Sequence, residues 1–282
     1  MTKLAYQCYI AAWSKTNLRN NDNQQGNLML FSPSSHLGES LFTSTRIKDS
    51  KILFDEEHLE RLVAGIEDYY LGEKLSSSQI SELQEAIDKQ VSKLDDKEAK
   101  LRITVHASDR QEITPSSFDF KSLNVSVESG PLTKSKDEVR CKSFQSPFAP
   151  SYPNIKMGSY MPLLRLRLKA QRAGLEDAAL LDEQGNLMEL TTSNLFFYKG
   201  KRVFTPSKTL LDGVIKKTIC EMFSVEKLDI TPGSCAEFDG CFCTNSVWIA
   251  RPVQSIDQTK FKNSDQLFVE DMIKKILERG YQ

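Results

Sequence analysis

"IKMGSYMPLLRLRLKAQRAGLEDAALLDEQGNLMELTTSNLFF" runs from Ile155 to Phe197. Its first half admits two readings. Leu164, Leu166 and Leu168 alternate with Arg165 and Arg167, the period of a strand. The flanks are those of a helix: Ser159 can cap it, Pro162 is tolerated in a first turn, and Gly174 can end it. The flanks decide for a helix over "LLRLRLKA". Short strands follow at "DAALLD" and "NLFFYKG", with a turn at "EQGN" between them. Lys156 stands in this stretch between apolar and small residues with no acidic neighbour, whereas a surface lysine ordinarily keeps charged company.

Downstream, "RVFTP", "GCFCTNS" and "ARPVQSI" read as strands, and "GVIKKTICEMF" and "SDQLFVEDMIKKIL" as helices. Upstream, Leu59, Leu62, Val63, Ile66 and Tyr70 recur at helical spacing after Asp55, a plausible cap. Ser76 and Gln79 match a capping box that opens a second helix, with Ile80, Leu83, Ile87, Val91 and Leu94 as its stripe. "LRITVHA" is a strand. Near the N-terminus the apolar patch from Tyr9 to Trp13 reads as a first strand, and the polar run from Asn17 to Asn27 as a loop. Strands and helices mix without strict alternation, so the class is α+β, or mixed α/β. The polar stretch around Pro115, Ser116 and Ser117 suggests a boundary. It divides a smaller N-terminal α/β domain (1–112) from a linker (113–121) and a larger C-terminal domain (122–282) that opens on the strand "LNVSVESGPL".

Composition excludes several classes. The chain has 282 residues, 39% hydrophobic and 27% charged, which suits a soluble globule. Lys+Arg is 37 against Asp+Glu 38, a formal net charge of -1. This gives no electrostatic case for nucleic acid or an anionic membrane surface. No apolar run approaches the roughly 20 residues of a membrane helix. The six cysteines (Cys8, Cys141, Cys220, Cys235, Cys241 and Cys243) form no C-x-x-C pair, and none of the three histidines lies near them. Zinc is therefore not expected. Reduced, buried thiols in a cytoplasmic protein are.

The stretch from Ile155 to Phe197 joins three further blocks in a recognisable order. These are "GESLFTSTRIKDSKILFDEEHLERL" (Gly38–Leu62), "TPSKTLLDGVIKKTI" and "CTNSVWIARPVQSID". Together they resemble the class IV aminotransferases, the fold-type IV pyridoxal 5'-phosphate (PLP) enzymes, a family that includes branched-chain and D-amino-acid aminotransferases and aminodeoxychorismate lyase. Each block is weak alone; four in order are specific.

The resemblance implies a two-domain, D-amino-acid-aminotransferase-like fold with PLP in the cleft between the domains, a small-molecule substrate and a homodimer. Carried over by position, Lys156 is the Schiff-base lysine and proton shuttle, and Glu189 holds the pyridine nitrogen. Arg61 binds the phosphate, with backbone N–H groups of Val214 and Ile215 and with Asn245 or Ser246. Asn194 is counted with the cofactor residues, though alone it would only organise the turn after Glu189. Periodicity by itself makes Arg61 a solvent-facing partner of Glu57, opposite the apolar stripe; His58 reads as structural or, by the resemblance, near the phosphate.

Phe42 to Arg46 and the "TNS…RPV" block stand nearer to aminodeoxychorismate lyase than to the transaminases. That implies elimination of pyruvate from 4-amino-4-deoxychorismate to give p-aminobenzoate. Thr43 is then a candidate catalytic residue, and Arg110 and Arg251 are candidates for the substrate carboxylates. The alternatives are an aminotransferase acting on branched-chain or D-amino acids, or an inactive PLP-binding or scaffold relative. Four positions depart from the family pattern: Leu37 stands for an aromatic, Thr43 for a glutamate, and Lys216 and Lys217 for an arginine.

Overall fold

The computed structural model describes residues 37–49, 51–94, 98–107, 119–132, 138–149, 155–263 and 266–281. The expected first strand at Tyr9–Trp13, the Asn17–Asn27 loop, Cys8, Arg110 and Pro115–Ser117 lie outside the described residues.

The first half builds a small sheet covered by helices. β1 (Leu41–Lys48) and β2 (Lys51–Ile52) form a hairpin, followed by α1 (Asp55–Gly65), α2 (Ser77–Val91), β3 (Glu98–Ala107) and β4 (Leu123–Gly130). The sheet order is β2-β1-β3-β4, antiparallel throughout. In β3, Ala99, Leu101, Ile103, Val105 and Ala107 alternate inward and pack against Leu62, Ile66, Leu83, Ile87 and Val91 from the helices, as a half-buried strand requires. The capping box at Ser76 and Gln79 is present.

Two expectations are corrected here. Asp55 is the first helical residue rather than the cap. The cap position belongs to Phe54 in the left-handed region (φ 56), whose N–H donates to the Gly280 carbonyl at 2.9 Å. Packing of the buried Phe54 ring against Gly280 sets this helix entry in place of side-chain capping. The second correction concerns "LNVSVESGPL". It is a strand, but it does not open the larger sheet: β4 pairs with β3 along its whole length, from Leu123 opposite Ala107 to Gly130 opposite Lys100. The small sheet thus continues past residue 121.

The second sheet follows with β5 (Val139–Gln145), α3 (Met161–Arg172), β6 (Asp177–Leu181), β7 (Leu187–Leu190), β8 (Ser193–Lys199), β9 (Arg202–Pro206), α4 (Val214–Met222), β10 (Val225–Leu228), β11 (Gly240–Asn245), β12 (Ile249–Ile256), β13 (Thr259–Lys260) and α5 (Gln266–Gly280). Its order is β10-β9-β8-β11-β12-β5-β6-β7, and β7 also pairs with β8. The sheet therefore closes on itself through β5, β6, β7, β8, β11 and β12. The period of two along β8 separates two cores. Leu195 and Phe197 join Cys141, Cys235, Cys241 and Cys243 on one side. Phe196 and Tyr198 meet α4 and α5 on the other. The four cysteines named are buried free thiols, and burial raises the pKa of each. Cys220 is exposed.

The leucine-arginine alternation folds as helix α3, as the flanks required. Leu163 and Ala170 are buried in it, while Leu164 and Leu168 face out. Ser159 does not cap it; Tyr160 occupies that position without a side-chain cap bond. Among the described residues, no helix is long and apolar enough to cross a membrane.

Candidate active site

The strip carrying Lys156 bridges the two sheets. The Phe42 N–H donates to the Lys156 carbonyl at 2.9 Å, the Gly158 N–H donates to the Ser40 carbonyl at 2.7 Å, and Leu41 pairs with Met157. Gly158 allows this approach, because a Cβ there would overlap Ser40 Oγ. Lys156 Nζ stands 4.9 Å from the centroid of Phe42 and 5.6 Å from that of Tyr160. Burial disfavours its ammonium form, and the Arg61 charge adds to the effect. Glu189 acts in the opposite sense, and the net result is a pKa pushed down to about 7. Above that pH the amine is neutral and nucleophilic. Ligand-free protein is therefore expected to capture an added aldehyde such as pyridoxal faster as pH rises, with a midpoint near 7. A midpoint near 10 would mean an ordinary solvated lysine. In the unfolded chain the amine stays protonated to about pH 10.4. This group thus makes the ligand-free fold more stable as pH rises from about 7 to about 10.

Glu189, on β7, lines the same pocket as Lys156, with Tyr160, Leu163, Leu210 and Leu211. One of its oxygens, Oε2, accepts every hydrogen bond the side chain makes. The donors are Asn194 Nδ2 at 3.2 Å, the Thr209 hydroxyl, and the Leu210 and Leu211 N–H groups, each at 3.2 Å. Oε1 takes no part in that set. Burial raises the carboxyl pKa; the Thr209 and Leu211 bonds and the Lys156 charge oppose the shift. Asn194 lies opposite Glu189 in the β7–β8 pairing and also donates to the Leu211 carbonyl at 2.8 Å. Its role here is to orient Glu189. Gly213 makes room for Asn194 Oδ1, which a Cβ there would overlap. It also brings the N-terminus of α4, with Val214 and Ile215 buried, up to the Glu189 cluster.

Arg61 does not face solvent and does not pair with Glu57. Its Nη2 donates to Thr43 Oγ1 and, at 3.2 Å, to His58 Nδ1. Nε is buried with no hydrogen-bond partner, and no carboxylate among the described residues pairs with the group. Burial brings its pKa down to about 10. A half-buried guanidinium without an acid keeps its charge unmatched within the chain. Thr43, expected to act on substrate, is fully buried with its hydroxyl held between Arg61 and His58.

The remaining candidates divide. Ser246 is buried in the turn between β11 and β12. Asn245 closes that turn, accepting from the N–H groups of Val247 at 3.0 Å and Trp248 at 3.1 Å and donating to the Thr192 carbonyl at 3.2 Å. Arg251 stacks near Trp248 and lines a separate cavity of about 530 Å³ beside α5 that contains neither Lys156 nor Glu189. Lys216 is buried against Asp212 at 2.8 Å, so its charge is already matched. Sequence reasoning missed Thr209, which is visible only as a hydroxyl three residues beyond "TP". It also missed Tyr160, whose hydroxyl donates to the Thr191 carbonyl. A third omission is Arg102 on β3, whose guanidinium lies 3.6 Å from the Phe42 ring centroid. Arg102 and Lys100 both lower the Lys156 pKa, and Arg167 acts on Lys100 in the same way. Lys100 and Arg102 thus add positive charge near the amine.

A half-deprotonated amine, a carboxylate with one oxygen unengaged and a half-buried guanidinium lacking an acid fit the aldehyde, the ring nitrogen and the phosphate of PLP. Comparison with known proteins gives the same direction. Residues 40–256 match the family model "Amino-transferase class IV". A probable branched-chain-amino-acid aminotransferase of Rickettsia felis is 27% identical over 258 residues, covering 88% of this chain and 87% of the relative. A Legionella pneumophila crystal structure, provisionally named 4-amino-4-deoxychorismate lyase, superposes with TM-score 0.77 at 19% identity, covering 92% of this chain and 98% of that one. A hypothetical aminotransferase from Mycobacterium tuberculosis in its PLP-bound form gives TM-score 0.71 at 14% identity, covering 90% and 95%. At these identities the structures share the fold.

Proposed function

The chain belongs to the class IV aminotransferases, which are PLP-dependent enzymes, and on that premise we propose that it is a lyase acting on 4-amino-4-deoxychorismate. The observation that carries this reading is the positive charge of Arg102, whose guanidinium lies 3.6 Å from the centroid of the Phe42 ring that Lys156 Nζ also faces at 4.9 Å. The substrate bears two carboxylates, which the charges of Arg102 and Lys100 would attract, and apolar Leu163, Leu210 and Leu211 line the pocket that would take its ring. PLP, when bound, supplies an electron sink conjugated to the substrate's amine. Lys156 Nζ, neutral near pH 7, takes the ring proton. Glu189 keeps a proton on the pyridine nitrogen. The bond from the ring to the enolpyruvyl oxygen breaks with its electron pair leaving on oxygen, the ring becomes aromatic, and the expelled enolate takes a proton back from Lys156 to become pyruvate beside p-aminobenzoate.

A second reading has its own support. The Rickettsia felis relative is named for branched-chain amino acids, and the pocket's leucines suit such side chains. The two differ in stoichiometry. With aminodeoxychorismate made in situ by a coupled synthase, a lyase releases p-aminobenzoate and pyruvate with no added keto acid, because aromatisation drives one complete pass. A transaminase stops after one turnover until a keto acid arrives. Release of p-aminobenzoate without 2-oxoglutarate supports the lyase. Rapid conversion of the cofactor's absorbance by leucine, reversed by 2-oxoglutarate, makes the aminotransferase the better reading.

The homodimer is also a proposal. Met161, Leu164 and Leu168 stand 78%, 45% and 46% exposed along one side of α3, an apolar stripe suited to a second copy. A monomer that stays active at high dilution in sedimentation and assay would contradict it. The reduced thiols support a cytoplasmic location.

A further inference from the structure

We propose that Thr43 and His58 form a neutral hydrogen-bonded relay whose task is to aim Arg61 at the phosphate of the cofactor. The inference rests on the PLP reading above and goes beyond it by assigning two positioning residues.

The proton positions follow from donor chemistry. Arg61 can only donate, and its Nη2 reaches both Thr43 Oγ1 and His58 Nδ1. Nδ1 must therefore carry a lone pair, and the ring proton sits on Nε2. The Thr43 hydroxyl, 2.5 Å from Nδ1, has one way to satisfy both neighbours: its hydrogen goes to Nδ1 and its oxygen accepts from Arg61. The bonds run in one direction, from Arg61 to Thr43 to His58. Only a hydroxyl can hold this middle place, since a carboxylate would neutralise Arg61 and an aliphatic side chain would release it.

His58 is 1% exposed and Thr43 is fully buried, so neither can swing out to water. Burial first, then the charges of Arg61 and Lys156, keep the imidazole well below its ordinary pKa, and no second cation forms beside Arg61. The relay has a cost: Nε2 is buried with no partner among the described residues. A ring needed only to fill space would be better replaced by a leucine. The arrangement holds the guanidinium fixed without consuming its charge, leaving that charge for an incoming anion.

The test is the preference of ligand-free protein for pyridoxal 5'-phosphate over pyridoxal, the same aldehyde without the phosphate. It is read at one pH by titrating visible absorbance. Arg61→Gln should lower the preference by about a hundredfold, as for loss of a buried charged partner. Thr43→Val and His58→Leu should lower it about five- to tenfold, the value of one net hydrogen bond, and leave pyridoxal affinity unchanged. Thr43→Ser and His58→Asn, which keep a hydroxyl and an acceptor in place, should restore it. If Arg61→Gln leaves the preference intact, the phosphate reading of Arg61 is wrong. If Arg61→Gln lowers it and neither Thr43→Val nor His58→Leu does, the relay is wrong. A second measurement needs no variant to fold well: nitrogen-15 spectra of histidine-labelled protein, with His58 assigned from His58→Asn. They should give a neutral ring protonated at Nε2 and unchanged from pH 6 to 8. A ring protonated at Nδ1, or one that titrates in that range, overturns the proposal.

Discussion

Lys156→Ala is expected to fold, to lose the visible band of the bound cofactor and to lose turnover by about 10⁴-fold or more, the scale on which removal of a reacting nucleophile acts. The size follows from the pocket. Its other described walls are Phe148, Ile155, Met157, Ser159, Tyr160, Leu163, Glu189, Leu210 and Leu211, and none of them carries an amine. Lys100 lies near enough to influence Lys156 electrostatically, but it stands on β3 and keeps its own cationic neighbours. The same substitution removes the group whose protonation opposes folding below about pH 10, so the ligand-free variant should melt no earlier than the parent at neutral pH. The direct measurement is borohydride reduction of the yellow protein followed by peptide mass spectrometry. The pyridoxyl mass belongs on the peptide containing Lys156. Its appearance on any other lysine would sink the assignment.

Glu189→Gln should keep the cofactor and lower turnover about 10²- to 10³-fold, the range measured when one preorganised electrostatic partner is removed. The hydrogen bonds dictate which way the amide must sit. Four donors converge on Oε2. An NH₂ group placed there would meet four hydrogens, so the glutamine carbonyl takes that position and the NH₂ turns into the pocket. A donor then faces the pyridine nitrogen that has to stay protonated, and the electron sink is weakened at its source. Asn194→Ala and Thr209→Val each remove one member of the donor set and should give smaller losses in the same direction. Unchanged turnover in Glu189→Gln would reduce Glu189 to a turn residue.

These two residues were singled out through the resemblance of their block to the family, since neighbours alone leave Lys156 a solvated lysine and Glu189 a turn residue. Lys156 stood out among apolar and small residues, and Glu189 closed a block ending in "SNLFF". The helices were legible locally, with stripes, a capping box and, for α3, flanks strong enough to overrule a local alternation. The failures have physical causes. β4 was read as the opening strand of the larger domain, yet it pairs with β3 in the small sheet, because pairing depends on a partner many residues away and nothing local in "LNVSVESGPL" records it. Arg61 reads from periodicity as a surface charge, because the polar side of α1 looks the same whether water or a cleft covers it. Thr43 was given to the substrate because its burial between two side chains is a tertiary fact. Arg251 was placed by its block, yet the strand turns it toward another cavity. Arg102 was missed because one arginine in an alternating strand is ordinary until Phe42 is set beneath it.

The strip from Ile155 to Gly158 has a kinetic consequence. Its bonds to Ser40 and Phe42 join segments from opposite halves of the chain, and each half has its own core. Lys156 cannot acquire its desolvated amine until those cores meet. During refolding, the competence to capture an aldehyde should therefore appear late, after most secondary structure, as a step distinct from formation of either half. Ligand present in the refolding mixture would then act by mass action on the docked species alone. It should slow the separation of the halves and leave untouched the rate at which each half first collapses.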